Sequence, residues 1–331
     1  MLRLGFDVGG TKVAAGLVDG EGHLLVHNRI DARPDLSAES KVEHLVDQGM
    51  ALLRDAAVQP ADVSAVGLGM PGDLDPETGR LRTIPNLPAF VGLSPTELFG
   101  DAFTRRTGAH CTVVADNDTV AAVLAEARFG AGRGAQRLLY MTVSTGVGGA
   151  RYDGQQAQNI EPGLSLHPDP ARPELNLEEL AGGNGMARRA RHALRALDAE
   201  GGLDAIRSQT RILEYIDAVD HLTARHLGEA AAAGDAWARG LLGEAADGVA
   251  AGLAMLLDQG WGEECIVMGG SVALRVDGFL DRVRLGLTER QGLAGASDGL
   301  GNFDVDSGLV EAGLGEERGI LGAVLFADLT H

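Results

Sequence analysis

Short apolar runs that end at glycine recur along this chain. The opening stretch, LRLGFDVGGTKVAAGLVDGEGHLLVHNRID, predicts three strands, with a glycine corner after the first and a turn at DGEG after the second. A second stretch, RLLYMTVSTGVGGARYDG, repeats the order of strand, glycine-rich corner and strand, and CIVMGGSVA predicts a strand, a glycine corner and a helix start. Because glycine lets the backbone approach other groups closely, these corners are the first candidates for a binding site.

Helices and buried strands fill the sequence between these corners. VSAVGLGM predicts a buried strand and CTVVADND a strand that runs into a polar tip, and apolar spacing predicts helices over about 37–57 and 95–106. Another helix is predicted in TVAAVLAEARFG, with Gly130 just past its end. Further helices are predicted in LEELAGGNGMARRARHALRAL, with a glycine break, and as two long helices over about 210–258. Another helix is predicted to end at about Arg290, and the last one lies in ERGILGAVLFADL. A chain of 331 residues with this alternation predicts an α/β protein of two lobes.

Composition narrows the classes of function. The net charge of −19 repels nucleic acid and anionic lipid surfaces, so we expect neither as a partner. The uninterrupted apolar runs are far shorter than the roughly 18 residues of a membrane-spanning helix, and the first residues do not resemble a signal peptide. We therefore expect a cytoplasmic protein. Cys111 and Cys265 lie in apolar stretches and are predicted to be buried strand thiols, not a disulfide or zinc pair.

Two of the glycine corners have the composition of phosphate-binding turns. DVGGTK and STGVGGA each place consecutive backbone N–H groups between two strands, together with the hydroxyls of Thr11, Ser144 and Thr145. Several donors suit phosphate because its charge is spread over several oxygens, and a Cβ would keep the anion from the amides. Tight glycine turns also occur for structural reasons alone, but the pair, with VMGGS at a third strand end, favours phosphate binding.

Two carboxylates stand at predicted strand ends. Asp7 precedes the first glycine corner, where a carboxylate beside a polyphosphate would hold Mg²⁺ through water; the alternative is an aspartate that caps a turn. Asp118 follows the strand that ends in ADN, where a short, rigid carboxylate suits a general base for a sugar hydroxyl. The alternative for Asp118 is an ordinary helix N-cap.

These motifs, in this order, resemble the ROK family of sugar kinases and sugar-responsive repressors. GFDVGGTK and TVSTGVGGA resemble the family's two phosphate motifs, and GLGMPGDLDPETG and PNLPAF its sugar-side loops. DNDTVAAVLAE is similar to the family's catalytic NDANAAALAE, IVMGGSVA to its adenosine motif, and LGEERGILGAVLFA to its closing helix. The resemblance runs nearly from end to end of the chain.

The resemblance implies a fold and an activity. The fold would be α/β, the two-lobed actin/hexokinase-like ATPase fold with an interlobe active-site cleft. The N-terminal lobe would comprise 1–117, completed by a C-terminal helix at 309–331, and the C-terminal lobe 118–308. The protein would be an ATP-dependent sugar kinase of the glucokinase type that uses Mg²⁺ and transfers the γ-phosphoryl group in line. Homodimers are common among relatives, but no residue here identifies an interface.

Individual residue roles also follow from the resemblance. Asp118 would be the base, Asn86 and Asn117 would hold other sugar hydroxyls, and Glu178 would accept hydrogen bonds from the sugar. Asp7 would hold the metal. The phosphate-binding residues would be Gly9, Gly10, Thr11, Lys12, Ser144, Thr145, Gly146, Gly148, Gly149, Gly269 and Gly270.

One region departs from the family pattern. Where the family has GEIGH followed by three cysteines that bind zinc with the histidine, this chain has GLSLH: Leu164 stands in the place of the glutamate, His167 is kept and the cysteines are missing. We therefore predict no zinc site, with His167 either contacting substrate or packing in the loop. Three explanations of the missing glutamate stay open: Glu161 takes its place, the substrate is a different polyol, or sugar phosphorylation is weak or absent.

Other functions remain as alternatives. A sugar-binding regulator is one, although the first phosphate motif begins at Gly5, so we expect no DNA-binding domain before it, and Asp118 and the glycines of an active enzyme are present. Polyphosphate as the donor and a non-sugar acceptor are the others. A working kinase with an altered acceptor preference is the favoured hypothesis.

Overall fold

The structure is a computed structural model that describes residues 1–33, 35–85, 87–293 and 299–329. The chain forms two compact units, the first made of Met1–Ala135, Arg151–Asn159 and Ala312–His331, and the second of Gln136–Ala150 and Ile160–Glu311. Residues 118–135 and 151–159 belong to the first unit, whereas the sequence analysis placed the boundary after Asn117. The lobe boundaries themselves stay a prediction.

The first unit is built on a five-stranded sheet. Its strands are β1 (Leu2–Val8), β2 (Lys12–Val18), β3 (Leu24–Asp31), β4 (Val63–Met70) and β7 (Thr112–Asn117), in the order β3-β2-β1-β4-β7. The first three strands form the predicted antiparallel meander, and β4 and β7 are added in parallel. The remaining elements of this unit are the small strands β5 (Asp73–Leu74), β6 (Leu81–Thr83) and β10 (Ala157–Asn159), and the helices α1 (Ala38–Asp55), α2 (Pro95–Thr107), α3 (Asp118–Arg128) and α12 (Arg318–Ala323).

Glycines in register on this sheet allow helix α12 to approach it closely. Gly16, Gly5 and Gly67 are direct neighbours across β2, β1 and β4. A Cβ at Gly67 would collide with the carbonyl oxygen of Ala323 in α12, and a Cβ at Gly5 would lie 2.5 Å from the carbonyl oxygen of Ile320. A Cβ at Gly322 would in turn collide with the backbone of α3. Helix α12 therefore packs between the sheet and α3, backbone against backbone.

The second sheet has five strands in the order β10-β9-β8-β11-β12. Its strands other than β10 lie wholly or partly in the second unit, which also contains most of the helices. Strands β8, β11 and β12 are parallel. The strands of the second unit are β8 (Leu138–Val143), β9 (Val147–Tyr152, which continues into the first unit), β11 (Cys265–Gly269) and β12 (Leu309–Glu311). Its helices are α4 (Pro162–Ser165), α5 (Leu177–Ala181), α6 (Gly183–Gln209), α7 (Ala224–Ala232), α8 (Ala236–Leu257), α9 (Ser271–Arg275), α10 (Phe279–Leu293) and α11 (Val305–Gly308).

Several predicted elements differ in length or burial from the structure. The closing helix is shorter than predicted, because α12 ends at Ala323 and a 3₁₀ turn follows at Phe326–Asp328. Of the two long helices predicted over about 210–258, α8 has 22 residues and α7 only 9. The two cysteines are half-buried rather than buried, and Cys111 lies just before β7 rather than within a strand.

Helix α8 is long and apolar enough to cross a membrane by length and composition alone. However, 61% of its most apolar segment is buried inside the protein. Its fully buried residues, among them Leu253 and Val249, belong to the core of the second unit. A core helix satisfies the same criteria of length and apolarity.

Candidate active site

The first glycine corner is a closed turn between β1 and β2. The N–H of Gly9 donates to the carbonyl oxygen of Lys12 at 3.0 Å, and a Cβ at Gly9 would lie 2.9 Å from that oxygen. Outside the turn, the carbonyl oxygen of Thr11 accepts a 3.0 Å hydrogen bond from Ala32, while Thr11 and Lys12 are exposed. The predicted turn is present with an accessible hydroxyl and amine.

A buried lysine that sequence analysis did not identify, Lys41, is connected to this turn by hydrogen bonds. Lys41 in α1 is 1% exposed, and its Nζ donates to the carbonyl oxygens of Ala32 and Arg33 at 2.7 and 2.8 Å. Burial lowers the pKa of Lys41. Since Ala32 also donates to Thr11, the lysine connects helix α1 to the turn through one intervening residue.

The strand register brings two carboxylates into one row. Asp7, Gly69 and Asp116 are direct neighbours across β1, β4 and β7, and each is the next-to-last residue of its strand. Residues paired in this way point to the same face of a sheet, and Gly69 between the aspartates has no side chain. On the other side of Asp7, the row continues through Ala14 to Arg29. The carboxyl edge of the sheet thus carries Asp116 as a site residue that the predictions did not include.

Burial shifts the pKa values of Asp7 and Asp116 in the same direction. Burial raises the pKa of Asp7, and the positive charges of Arg318 and Arg29 partly oppose this shift. Burial likewise raises the pKa of Asp116, opposed by a 2.7 Å hydrogen bond from the N–H of Asn117. Asp7 is a half-buried carboxylate at the end of β1, and carboxylate oxygens are ligands that Mg²⁺ accepts directly or through water. Asp7 therefore fits the predicted metal.

Asp118 is the first residue of α3, and Asn117 is the N-cap. The side-chain oxygen of Asn117 accepts hydrogen bonds from the N–H and hydroxyl of Thr119 at 2.8 and 2.6 Å, and its amide nitrogen donates to the carbonyl oxygen of Gly72 at 2.8 Å. The alternative that Asp118 is merely the N-cap is therefore wrong. Asp118 is exposed, whereas Asn117 is 5% exposed, so its predicted contact with sugar competes with these internal hydrogen bonds.

The second glycine turn, between β8 and β9, is held by the start of helix α6. The N–H groups of Gly183 and Asn184 donate to the carbonyl oxygens of Ser144 and Thr145 at 2.8 and 2.9 Å. The hydroxyl of Ser144 lies 3.1 Å from that of Ser271, which follows the third glycine corner. These contacts bring two of the three predicted phosphate-binding segments together in the second unit.

Glu178 contacts this turn directly. Its carboxylate accepts a 3.1 Å hydrogen bond from the N–H of Val147 and occupies the place where a Cβ at Gly146 would lie. The amide of Val147 is thus already bonded to a negative charge. Phosphate binding by this turn would rely on its other groups, such as the exposed Thr145.

At two of the predicted phosphate-binding glycines, close packing by itself requires glycine. Gly149 is buried, and a Cβ there would lie 2.9 Å from the carbonyl oxygen of Tyr140 and from Pro162. Gly269 is also buried, and a Cβ there would collide with the hydroxyl of Tyr140. Gly270 adopts a positive φ of 94° at the corner before α9. A phosphate role for these glycines stays a prediction.

The segment around His167 does not form a cluster of ligands. The His167 ring is exposed, and its Nδ1 donates to the carbonyl oxygen of Pro173 at 2.9 Å. Within the described ranges, one grouping of three His, Cys, Asp or Glu side chains has metal-ligand spacing, Asp19 with Glu21 and His23 in the β2–β3 turn, which is far from His167 in sequence. Asn86, predicted to bind sugar, lies outside the residues that the structure describes.

Upstream of His167, Glu161 has an unusual backbone conformation. Its φ is 42° and its ψ is 54°, in the left-handed region that non-glycine residues rarely adopt. Two residues later, a Cβ at Gly163 would collide with the carbonyl oxygen of Val147. Leu164 is 57% exposed, whereas Leu166 is 6% exposed. Left-handed non-glycine residues are often found at functional sites, where surrounding structure enforces them.

This combination of α/β units, with glycine turns at strand ends, defines an actin-like ATPase fold of the hexokinase type. A sequence profile described as "ROK family" matches residues 3–164, and the chain belongs to the ROK family. The ROK hexokinase from Thermus thermophilus has the same fold with a TM-score of 0.75 and 29% identity over 99% of both chains.

Two further relatives match this chain over nearly its whole length. A ROK glucokinase from Streptomyces griseus, solved with glucose and AMPPNP, has a TM-score of 0.69 and 29% identity over 98% of this chain and 99% of its own. The bifunctional enzyme NanE/NanK of Brucella melitensis biotype 1 is 31% identical over 96% of this chain. The chain spans 52% of the length of that bifunctional relative.

Proposed function

We propose that the protein transfers the γ-phosphoryl group of ATP to a hydroxyl of a hexose, with Asp118 as the general base. In this reaction the sugar oxygen attacks phosphorus, its proton passes to the Asp118 carboxylate, and ADP leaves as the bond to the bridging oxygen breaks. Mg²⁺ would supply neutralisation of the phosphate charge when bound. The enzyme's own contribution is to position the reactants and to stabilise negative charge.

The position of Asp118 carries this proposal. Asp118 is exposed at the first turn of α3, directly after the strand whose Asp116 shares a row with Asp7. Its neighbour Asn117 caps the helix and bonds to the loop at Gly72, so the backbone that presents the carboxylate is fixed. The helix dipole also stabilises negative charge at this end of α3. A rigid, accessible carboxylate at the end of β7, in the sheet whose β1 carries Asp7, suits phosphoryl transfer to a hydroxyl.

On the donor side, we assign phosphate contacts to the turns at Gly9–Gly10–Thr11 and Ser144–Thr145–Gly146. Asp7 would hold Mg²⁺ through water. The Streptomyces griseus relative was solved with the ATP analogue AMPPNP, which supports ATP as the donor.

On the acceptor side, we propose Glu161 as the carboxylate that contacts the sugar. The family pattern GEIGH can be placed on this chain so that its glutamate and glycine fall on Glu161 and Gly163, three residues earlier than the placement on GLSLH. A glycine is sterically required at 163, whereas the buried Leu166 occupies the glycine position of the other placement. The strained backbone of Glu161 also supports a functional role. Leu164 then replaces the family histidine rather than the glutamate.

The test is ADP release with ATP and Mg²⁺ against a panel of hexoses and N-acetylhexosamines. We expect turnover on at least one hexose, and a loss of about 10²- to 10⁴-fold in kcat for Asp118→Asn, because the amide cannot accept the proton. Calorimetry should show that this variant still binds ATP. The matched control is Asp101→Asn, an exposed aspartate in α2 of the same unit, which should keep wild-type turnover. Full activity in Asp118→Asn would refute its role as the base.

A further inference from the structure

Glu126, near the end of α3, is a completely buried carboxylate. It is 0% exposed, and both carboxylate oxygens accept hydrogen bonds from backbone N–H groups: Ala131 at 2.9 Å, Gly313 at 3.0 Å and Leu314 at 3.1 Å. A buried carboxylate is retained only when such partners compensate for its lost hydration. The surrounding backbone is shaped to fit, since a Cβ at Gly130 would collide with the carboxylate.

The three N–H donors come from two distant parts of the sequence. Ala131 follows α3, whereas Gly313 and Leu314 lie in the segment that leads into α12. Arg318, the first residue of α12, has its guanidinium 3.6 Å from the Glu126 carboxylate and also donates to the carbonyl oxygen of Leu314 at 3.0 Å. Glu126 therefore joins the end of α3 to the start of α12.

The start of α12 is also the part of that helix that lies against Asp7. A Cβ at Gly319 would collide with the Asp7 carboxylate, so the helix backbone is in direct contact with that side chain. The positive charge of Arg318 opposes the raised pKa of Asp7 more strongly than that of Arg29 does. Any shift of the first turn of α12 would therefore change the space and the charge beside Asp7, whereas Asp118 lies at the opposite end of α3.

We propose that Glu126 is a positioning residue that fixes the first turn of α12 against Asp7, and thereby controls binding of the metal–nucleotide rather than of the sugar. This inference rests on the proposed function only in one respect, which is that Asp7 is assigned to hold Mg²⁺. Because it concerns Mg²⁺–nucleotide binding, it can be tested without turnover. Its failure is thus distinguishable from failure of the kinase proposal.

The principal variant is Glu126→Gln, which keeps the shape but replaces one acceptor oxygen by a donor that faces N–H groups. We expect the Kd for Mg²⁺–ADP, measured by calorimetry on the full chain, to rise about 5- to 30-fold. In the coupled assay, the half-saturating Mg²⁺ concentration should rise by a similar factor, while the KM for the sugar stays within about twofold. A general loss of structure would not separate these two constants.

Two further variants keep the test decisive. Leu52→Ala removes a buried side chain in α1 of the same unit, far in sequence from both helices, and should lower stability without changing the Mg²⁺ dependence. Glu126→Asp keeps the charge but is one methylene shorter, so it cannot reach all three N–H groups and should weaken Mg²⁺–ADP binding in the same direction, should Glu126→Gln fail to fold. Wild-type Mg²⁺–ADP binding in a folded Glu126→Gln protein, or in Glu126→Asp when Glu126→Gln does not fold, would overturn the proposal.

Discussion

Adding one methyl group at Gly67 should separate helix α12 from its sheet. In Gly67→Ala the new Cβ would overlap the carbonyl group of Ala323 and lie 3.1 Å from the amide nitrogen of Val324. These are backbone atoms, so a side-chain rotation cannot relieve the overlap. Helix α12 cannot retreat freely either, because the backbone of α3 is against Gly322 on the other side.

The expected destabilisation follows from this geometry. Inserting a methyl group into a packed contact costs about 1 to 3 kcal/mol, and we expect the upper part of that range because the opposing atoms are backbone. The matched control is Gly100→Ala in helix α2, where the new Cβ would meet Val113 at an ordinary 3.7 Å. There, the same methyl group should stabilise the protein by up to about 1 kcal/mol, because alanine favours helix over glycine. The two variants should differ by about 2 to 4 kcal/mol.

Urea unfolding followed by far-UV circular dichroism would give the difference in stability. Hydrogen–deuterium exchange of peptides from α12 would locate it, since faster exchange is expected there in Gly67→Ala and not in Gly100→Ala. Equal unfolding midpoints for Gly67→Ala and wild type, with unchanged exchange in α12, would refute the reasoning that glycine is required for this contact.

Two further predictions concern the carboxylates of the site. Burial raises the pKa of Asp7, so the folded protein holds that proton more tightly than the unfolded chain, and stability from this group falls as the pH rises above the ordinary value of 3.8. Asp7→Asn should therefore unfold at higher urea than wild type at pH 7, bind Mg²⁺–ADP more weakly, and lose its stability advantage as the pH approaches 3.8; an advantage that grows on acidification would contradict this. Glu161→Gln should raise the KM for the sugar about 10- to 100-fold without changing the KM for ATP, because a charge-assisted hydrogen bond is lost. Leu164→Ala is its control, and an effect of His167→Ala in place of Glu161→Gln would favour the other placement of the motif.

The first sheet was largely predictable because its signals are local. Alternating and continuous apolar runs, with glycine at their ends, predicted the antiparallel meander, the buried strand β4 and the strand β7 that ends in a polar tip. The row of Asp7, Gly69 and Asp116 was not predictable, since it depends on the register of parallel strands whose connections are long. The sequence identified Asp7 and Asp118 as candidates, but it could not show that Asp116 is a direct neighbour of Gly69.

Buried polar residues were the least accessible to sequence reasoning. Lys41 and Glu126 both lie on helices, where a charged residue is ordinarily placed on the solvent face. Each is buried because backbone groups from elsewhere in the chain satisfy it: two carbonyl oxygens for Lys41 and three N–H groups for Glu126. A helical pattern describes only one element, so it contains no information about such partners.

The glycines show most directly what a single sequence leaves undetermined. Gly9 closes a turn against its own backbone, Gly67 admits a neighbouring helix, and Gly149 and Gly269 make room for Tyr140. In the sequence all four stand in or near the ends of apolar runs, and three of them were assigned to phosphate. What separates them is the identity of the atom opposite the missing Cβ, which for Gly67 and Gly269 comes from residues far away in the chain. A glycine whose missing Cβ faces other protein atoms already has a structural reason to be glycine. Phosphate binding is therefore better assigned to the exposed hydroxyls of Thr11 and Thr145 than to those glycines.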